Sequence, residues 1–283
     1  METDPAAWID ALRNSHDRLS ALADALADDQ PQQRSYAREW SIAQVFSHIG
    51  SQSEVFGLFL DAGLNEQDAP GRDAFPPIWD AWNARSPQAQ VTDAVTADGA
   101  LMERFVSLDA GQRERFRLEL FGMDLGMAGL LRMRLGEHAI HTWDVAVALD
   151  PAATVAPDAV GLLVDTLGLL AARSGKPDGT RLRLLVSATD PQRRFILESA
   201  EAVTLVPAED AEPLPEQRQP AEIAEPRPEQ RQPAGGDESV AELRLPAEAL
   251  VRLVYGRLDP AHTPVLEARG VDVDDLRRIF PGF

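Results

Sequence analysis

Residues 126–149 read GMAGLLRMRLGEHAIHTWDVAVAL, an apolar stretch that predicts a long helix. Within it, Glu137 and His141 are four residues apart, which places both side chains on one helix face, one turn apart. A carboxylate and an imidazole in this arrangement can bind one divalent metal ion. His48, in an earlier predicted helix, is the best candidate for a third ligand. A site with three protein ligands keeps one coordination position open, which indicates catalysis rather than a structural role.

By its spacing alone, the Glu137–His141 pair is a weak signal, because charged pairs at this spacing are common on solvated helix faces. This helix is strongly apolar, however, so polar side chains at its centre need a reason. His138 points about 100° away from Glu137 around the helix and is not expected to share the ion. Asp144, one turn beyond His141, is expected either to hold the ring of His141 or to pair with an arginine.

The remaining histidines have less specific interpretations. His48 follows the apolar side of its helix and is expected to face into the protein. A core histidine with a backbone partner is therefore the alternative to a metal ligand at this position. We interpret His16 and His262 as surface or incidental residues.

Helical patterns account for most of residues 1–175. Helical spacing of apolar residues occurs in segments 4–27, 41–61, 77–83, 87–108, 126–149 and 157–173. Ser41 followed by Gln44 is a capping-box signature, which marks the start of a helix. Residues 109–124 are less regular. The first part of the chain therefore predicts a helical bundle of four main helices with shorter pieces.

Residues 180–283 predict a small α+β domain. Strand-like runs occur at 182–186, 194–197, 203–206, 240–245 and 265–268, and helices begin near Pro246 and Val273. A Pro-rich segment, about residues 207–239, interrupts this domain and contains PEQRQPA twice, at 215–221 and 228–234. Because no apolar period accompanies the repeat, we interpret the segment as a disordered or extended insertion.

The composition excludes several functions. The chain has 27 basic and 46 acidic residues, and its formal net charge of −19 would repel a nucleic acid. No apolar run reaches the roughly 18 residues of a membrane span, and the acidic start lacks signal-peptide features. We therefore expect a cytoplasmic protein with no nucleic-acid or membrane partner. Cysteine is absent, so thiol chemistry requires a thiol from outside the protein.

Two segments resemble a known family. Residues 40–48, WSIAQVFSH, and residues 137–144, EHAIHTWD, are similar to the two metal-binding segments of the mycothiol-dependent maleylpyruvate isomerase family. That family belongs to the DinB-like metal-binding bundles. Residues 253–257, LVYGR, and 277–283, RRIFPGF, resemble the small C-terminal domain that often accompanies these bundles. The resemblance covers nearly the whole chain except the Pro-rich insertion, and it is specific for the family rather than for one reaction.

The resemblance implies a DinB-like four-helix bundle over residues 1–175 and a sterol-carrier-protein-like α+β domain over residues 180–283. It also implies a divalent metal ion, usually zinc, on His48, Glu137 and His141. Mycothiol would be the cosubstrate. We expect a monomer whose partners are a small-molecule electrophile and this low-molecular-weight thiol.

The implied reaction is addition of metal-activated mycothiol to an electrophile, as a cis–trans isomerase or as a thiol S-transferase. The external thiol is the nucleophile, so none is required from the protein. In the family the C-terminal domain helps to close the site, which makes Arg257 a candidate for binding a substrate carboxylate. Arg244 and Arg252 compete with it, and a surface role is the alternative for each. Two other hypotheses are a metal- or thiol-binding protein without turnover and a structural protein with a decayed site.

Overall fold

The computed structural model describes residues 4–37, 39–179, 181–210 and 241–282. The chain divides into two compact units, Met1–Asp165 and Thr166–Phe283. The first unit is helical and the second is built on a sheet, which confirms the predicted fold class of a helical bundle followed by a small α+β domain. In the described part of the chain, no helix has a long enough apolar stretch to cross a membrane.

The helices of the first unit account for its core. They are α1 (Pro5–Ala25), α2 (Ile42–Leu64), α3 (Pro76–Asn83), α4 (Pro87–Ser107), α5 (Ala110–Arg115), α6 (Met127–Leu149) and α7 (Pro157–Leu163). Helices α1, α2, α4 and α6 are the long ones, and each packs against at least two of the others. Their apolar faces meet in a core that includes Leu12, Phe46, Ile49, Leu130 and Leu135.

The start of α2 is fixed by its first turn. As the sequence predicts, Ser41 Oγ accepts a hydrogen bond from the backbone N–H of Gln44, and the Gln44 side chain accepts one from the Ser41 N–H at 2.8 Å. This reciprocal pair satisfies two backbone donors that would otherwise lack partners. Further along α2, a Cβ atom at Gly50 would lie 2.3 Å from the Trp82 ring, so glycine permits the close packing of α3 on α2.

Two parts of the first unit differ from the sequence-based expectation. Residues 109–124 contain α5 and a hairpin of β1 (Leu118–Leu120) and β2 (Met123–Leu125), whose strands are too short to show a periodic pattern. Phe121 and Gly122 turn the hairpin with positive φ angles of 53° and 74°. The helix predicted over residues 157–173 is two helices, α7 and α8 (Leu167–Ser174), separated by a 3₁₀ turn at Val164–Thr166.

The second unit consists of α8 and a five-stranded sheet of order β5-β4-β3-β6-β7, with two further helices. The strands are β3 (Leu182–Thr189), β4 (Arg193–Ser199), β5 (Val203–Pro207), β6 (Ala241–Pro246) and β7 (Glu267–Arg269), and the helices are α9 (Ala247–Val254) and α10 (Val273–Ile279). Among the strand pairs of the described residues, β3–β6 is parallel and the others are antiparallel. From residue 211 onward, the predicted insertion lies outside the described residues.

Helix α8 belongs with the sheet rather than with the bundle. It packs against β5, and a Cβ atom at Gly168 would lie 2.5 Å from the Leu205 carbonyl oxygen, which shows how closely the helix approaches the strand. The division between the units therefore falls at residues 165 and 166, before the end at residue 175 that the sequence analysis expects.

The two C-terminal segments that carry the family resemblance contact each other. Gly256 and Gly282 both have positive φ angles, 70° and 88°, and a Cβ atom at Gly256 would lie 2.3 Å from the Gly282 backbone. Glycine is required there both by conformation and by space. The end of the chain is thus held against the turn that follows α9.

Candidate metal centre

Helices α2 and α6 bring the three predicted ligands together. His48 lies in the second turn of α2, and Glu137 and His141 lie at the middle of α6. One ligand atom from each residue lies within 4.8 Å of the other two. Residues separated by about 90 positions in the sequence therefore converge because their helices pack side by side.

The distances suit a small divalent ion. His48 Nε2 lies 3.2 Å from Glu137 Oε2, and His141 Nε2 lies 3.7 Å from the same oxygen. Two ligands of a tetrahedral zinc ion, at bond lengths of about 2.0–2.1 Å, are separated by roughly 3.3 Å. Two imidazoles and one carboxylate are also ligand types that zinc accepts. The described residues therefore fit a three-ligand site, with small adjustments of the side chains.

Asp144 fixes the orientation and the tautomer of the His141 ring. Its carboxylate is fully buried, and Oδ2 lies 2.9 Å from His141 Nδ1. An ionised carboxylate only accepts hydrogen bonds, so Nδ1 of His141 carries a proton, and in the neutral ring the lone pair is on Nε2. That lone pair is directed at the cluster, 3.7 Å from a carboxylate oxygen that is also an acceptor. Two acceptors facing each other repel unless a cation lies between them, which supports a metal ion at this position.

The protonation states of the cluster also suit a metal. Desolvation raises the pKa of Glu137, but the hydrogen bond with His48 and the electrostatic effect of the two neighbouring histidines outweigh it and lower the pKa to about 2. Burial lowers the pKa of His48 by more than its hydrogen bond with Glu137 raises it. At neutral pH the carboxylate is ionised and the imidazole of His48 is neutral, the two states that coordinate a cation.

The cluster remains open to solvent on one side. The Glu137 side chain is 42% exposed and that of His141 is 10% exposed, although both lie in the middle of an otherwise buried helix. Protein donors therefore need not fill every coordination position of an ion held here, and a small molecule could reach it. A structural metal site is normally closed by a fourth protein ligand.

Trp40 is part of the site, a role that the sequence analysis did not assign. Its ring centroid lies 5.1 Å from that of His48 and 5.9 Å from that of His141, and both ring pairs are tilted. Trp40 immediately precedes the capping residue Ser41, so the cap that begins α2 also places the indole against the ligands. Its position next to a helix start was the sequence signal that could have identified it.

The three candidate arginines lie in the second unit. Arg252 is buried, with its guanidinium bound to the Glu248 carboxylate and to the carbonyl of His262 at 2.8 Å. Arg257 is half-buried and donates to the Tyr255 carbonyl at 2.8 Å. Arg244 is exposed on β6. Of the three, Arg252 has the strongest structural reason for its position, so a substrate-binding role is better placed on Arg257 or Arg244.

A second polar cluster, which we call the Asp98 cluster, lies inside the first unit. It consists of Ser15, His16, Ser53, Asp98, Arg134, His138 and Thr142. Asp98 Oδ2 accepts from His138 Nε2 at 2.8 Å and from His16 Nδ1 at 2.7 Å. His16 is therefore not an incidental residue, as the sequence analysis expected. His262, by contrast, contacts Asp259 within the second unit at 2.8 Å.

Comparison with known proteins identifies the type of domain. Residues 12–146, a range that includes all three donors and Asp144, match the family model described as the mycothiol maleylpyruvate isomerase N-terminal domain. Two solved structures match 90% of this chain and 90% of their own, each with a TM-score of 0.62. One, 12% identical, is a mycothiol-dependent maleylpyruvate isomerase, and the other, 11% identical, is a histidine-to-alanine mutant of that enzyme. No curated protein matches the chain.

Proposed function

Because the N-terminal part of this chain belongs to the mycothiol maleylpyruvate isomerase family, we propose that the protein is a metal-dependent enzyme that uses mycothiol. The thiol adds to an electrophilic small molecule, in a cis–trans isomerisation like that of maleylpyruvate or in an S-transfer. One observation carries the proposal: Nε2 of His141 faces the Glu137 carboxylate at 3.7 Å while Asp144 contacts its Nδ1 at 2.9 Å, and His48 Nε2 lies 3.2 Å from the same carboxylate oxygen.

His48, Glu137 and His141 would hold the ion, which we take to be zinc, and Asp144 would keep His141 in the required tautomer. When bound, the ion would lower the pKa of a coordinated thiol, so that thiolate is available near neutral pH. The chain contains no cysteine, so the sulfur must belong to the cosubstrate. Trp40 covers one side of the ligands and would limit the access of water there.

The chemistry that follows belongs to the thiol and the electrophile. The thiolate sulfur forms a C–S bond at one carbon of an activated double bond, and the π electrons move onto the conjugated carbonyl oxygen. The new single bond rotates, the electrons return, and the C–S bond breaks to release the isomer and the thiolate. In an S-transfer the adduct instead takes up a proton at carbon and leaves as the conjugate.

We place a substrate carboxylate on an arginine of the second unit. Arg257 is the first candidate, because it is half-buried in the turn after α9, where it donates to the Tyr255 carbonyl at 2.8 Å. Arg244 is the second candidate. A lysine at either position would keep the charge but lose the planar pair of donors, so it should weaken carboxylate binding more than thiol binding.

Metal analysis is the first test. Purified protein should contain about one divalent ion per chain, and His48→Ala and His141→Ala should each lose it because two ligands cannot retain the ion as three do. His262→Ala, which removes a histidine that contacts Asp259 in the second unit, is the matched control and should keep the ion. A full metal complement in both ligand variants would refute the proposed site.

Turnover is the second test. The metal-loaded protein should convert maleylpyruvate, or a related unsaturated acid, to an isomer or a conjugate when mycothiol is present, and should not do so without the thiol. His141→Ala should abolish this activity. Metal-loaded protein that binds mycothiol but leaves a broad panel of electrophiles unchanged would favour the alternative, a metal- or thiol-binding protein without turnover.

A further inference from the structure

The Asp98 cluster connects all four long helices of the first unit. Ser15 and His16 come from α1, Ser53 from α2, Asp98 from α4, and Arg134, His138 and Thr142 from α6. The side chains of Asp98 and Arg134 are fully buried, and that of His138 is 1% exposed. Burial of this many polar groups is costly unless they are paired, so the cluster has a role that an apolar core would not fulfil.

Asp98 holds α6 with both oxygens of its carboxylate. Oδ1 accepts from Arg134 Nη2 at 2.7 Å, and Oδ2 accepts from His138 Nε2 at 2.8 Å. Arg134 and His138 are four residues apart and therefore lie one above the other on α6. The same Nη2 also contacts Ser53 Oγ at 2.7 Å, which joins α2 to the pair. The carboxylate thus fixes α6 at two levels, one turn apart, rather than at one point.

The metal ligands of α6 have the same spacing as these two residues. Glu137 follows Arg134 by three positions, and His141 follows His138 by three. Residues three apart differ by about 60° around a helix axis, so the two pairs lie on adjacent strips. A rotation of α6 that moves one pair must move the other by the same angle. Because a side-chain tip lies roughly 6 Å from the axis, a 20° rotation displaces it by roughly 2 Å.

We propose that Asp98 is a positioning residue for the metal centre: by holding Arg134 and His138 it sets the rotation of α6, so that Glu137 and His141 face His48. This inference rests on the proposed metal site. Ligand atoms must lie within about 0.2 Å of their required distances, and supporting residues normally supply that precision. The His48–Glu137 separation of 3.2 Å depends on the angle at which α6 presents its carboxylate to α2.

The buried pair is better explained by positioning than by stability. Nε and Nη1 of Arg134 are buried and have no hydrogen-bond partner among the described residues, so the guanidinium is not optimally satisfied. Well-packed apolar residues often stabilise a core as much as a buried ion pair does, and the best-attested use of such a pair is to fix one register among several. Here the register that matters is the one between α6 and the helices α2 and α4, which carry Ser53 and Asp98.

The test compares metal binding with folding in Asp98→Asn, which keeps the shape but removes the second acceptor and the charge. The control is Asp158→Asn, which also removes a carboxylate that joins helices, through Arg18 of α1 at 3.0 Å, but has no partner on α6 among the contacts described. Zinc affinity is measured by chelator competition, and ligand geometry by the d–d absorption of the cobalt-substituted protein. Circular dichroism of the metal-free protein reports folding.

We expect Asp98→Asn to remain helical, to bind zinc about 10- to 100-fold more weakly and to show a changed cobalt spectrum. Asp158→Asn should match the wild type in both measurements. A folded Asp98→Asn with wild-type zinc affinity and an unchanged cobalt spectrum would overturn the inference. If the wild type itself binds no ion, the proposed function fails, and the two failures are therefore distinguishable.

A second pair of variants serves if Asp98→Asn does not fold. His138→Gln can still donate to Asp98 from its side-chain amide, whereas His138→Leu cannot. We expect the glutamine variant to retain zinc affinity within about threefold and the leucine variant to lose about 10-fold or more. Equal zinc affinity and equal cobalt spectra in the two variants would contradict a positioning role, because the leucine variant loses the hydrogen bond to Asp98 together with the contacts to Ser15 and Thr142.

Discussion

Helix α6 carries two clusters of histidine and carboxylate that differ in how their hydrogen bonds are satisfied. In the Asp98 cluster, donors meet acceptors: Asp98 accepts from Arg134, His138 and His16 within 2.8 Å. In the candidate metal centre of His48, Glu137 and His141, Nε2 of His141 faces Oε2 of Glu137 at 3.7 Å, and both atoms are acceptors when the ring is neutral. The same residue types therefore form a network in which each Asp98 oxygen accepts hydrogen bonds on one strip of the helix, and a cluster in which two acceptors face each other on the next.

Exposure separates the clusters in the same way. Asp98 and Arg134 are fully buried, whereas the Glu137 side chain is 42% exposed. A buried network without spare acceptors holds structure, while an accessible cluster with excess lone pairs is arranged to bind a cation. Residue type alone did not distinguish them; the pairing of donors with acceptors did. Variants in each cluster should therefore change different properties.

The largest effect is expected from breaking the buried cluster. Arg134→Met leaves the carboxylate of Asp98 buried beside two histidines without its permanent cation, and it should lower the free energy of unfolding by about 3–5 kcal/mol. Urea denaturation of the metal-free protein, followed by tryptophan fluorescence, measures this loss. All five tryptophans belong to the first unit, so the signal reports on the bundle.

The control for this variant is Arg18→Met, which removes a guanidinium–carboxylate pair between α1 and α7. Arg18 is 38% exposed and its partner Asp158 is 32% exposed, so the loss should be under about 1 kcal/mol. Equal destabilisation by the two substitutions would show that burial does not distinguish the two ion pairs, and the contrast between the clusters would then lose its energetic basis.

The difference in unfolding free energy between the wild type and Arg134→Met should depend on pH. Burial raises the pKa of Asp98, but the charges of His138 and Arg134 outweigh it and lower the pKa well below 3.8. A carboxyl group whose pKa is lowered in the folded state stabilises the protein above the unfolded value, and this contribution is lost as pH falls through the folded value. The stability difference between wild type and Arg134→Met should therefore be largest above about pH 4 and should shrink on further acidification.

The sequence was sufficient for the features that local patterns determine. The capping box at Ser41, the length of α6 and the i, i+4 placement of Glu137 and His141 follow from propensity and helical period, and the structure has each of them. The fold class followed from the change of periodicity near residue 180. The convergence of His48 with the α6 pair did not follow from periodicity, because it depends on which helices are neighbours. The sequence offered His48 only as the best candidate for a third ligand, and the family resemblance strengthened that hypothesis.

Other features depend on tertiary packing that a single sequence does not show. Asp98 lies in a helix of ordinary amphipathic pattern, and nothing nearby in the sequence indicates that it faces the core rather than solvent. The role of His16 is not visible in the sequence, because its partner Asp98 is 82 residues away. The hairpin β1–β2 was missed because three-residue strands have too little alternation to detect. In each case the deciding contact is distant in the chain.

An intermediate effect is expected at the residue that orients a ligand. Asp144→Asn replaces an ionised acceptor by a neutral amide, which weakens the hydrogen bond at His141 Nδ1 and allows the other tautomer. Zinc affinity should fall about 10- to 100-fold, while the unfolding free energy of the metal-free protein should change less than in Arg134→Met. Asp61→Asn, which affects the exposed pair of Asp61 with Arg104, is the control. Unchanged zinc affinity in Asp144→Asn would argue that Asp144 supports the helix rather than the site.

The smallest effect is expected at Trp40. Trp40→Phe keeps an aromatic ring against His48 and His141, so metal affinity should stay within about threefold, a change of roughly 0.6 kcal/mol. The fluorescence response should change more, because a quenching ion such as Cu²⁺ bound by these histidines lies closest to the indole that contacts them. Trp79→Phe, at a tryptophan that is 40% exposed on α3, is the matched control and should keep the wild-type quenching. If the two variants lose the same fraction of quenching, the ion does not bind between α2 and α6. His48, Glu137 and His141 would then not be the metal site.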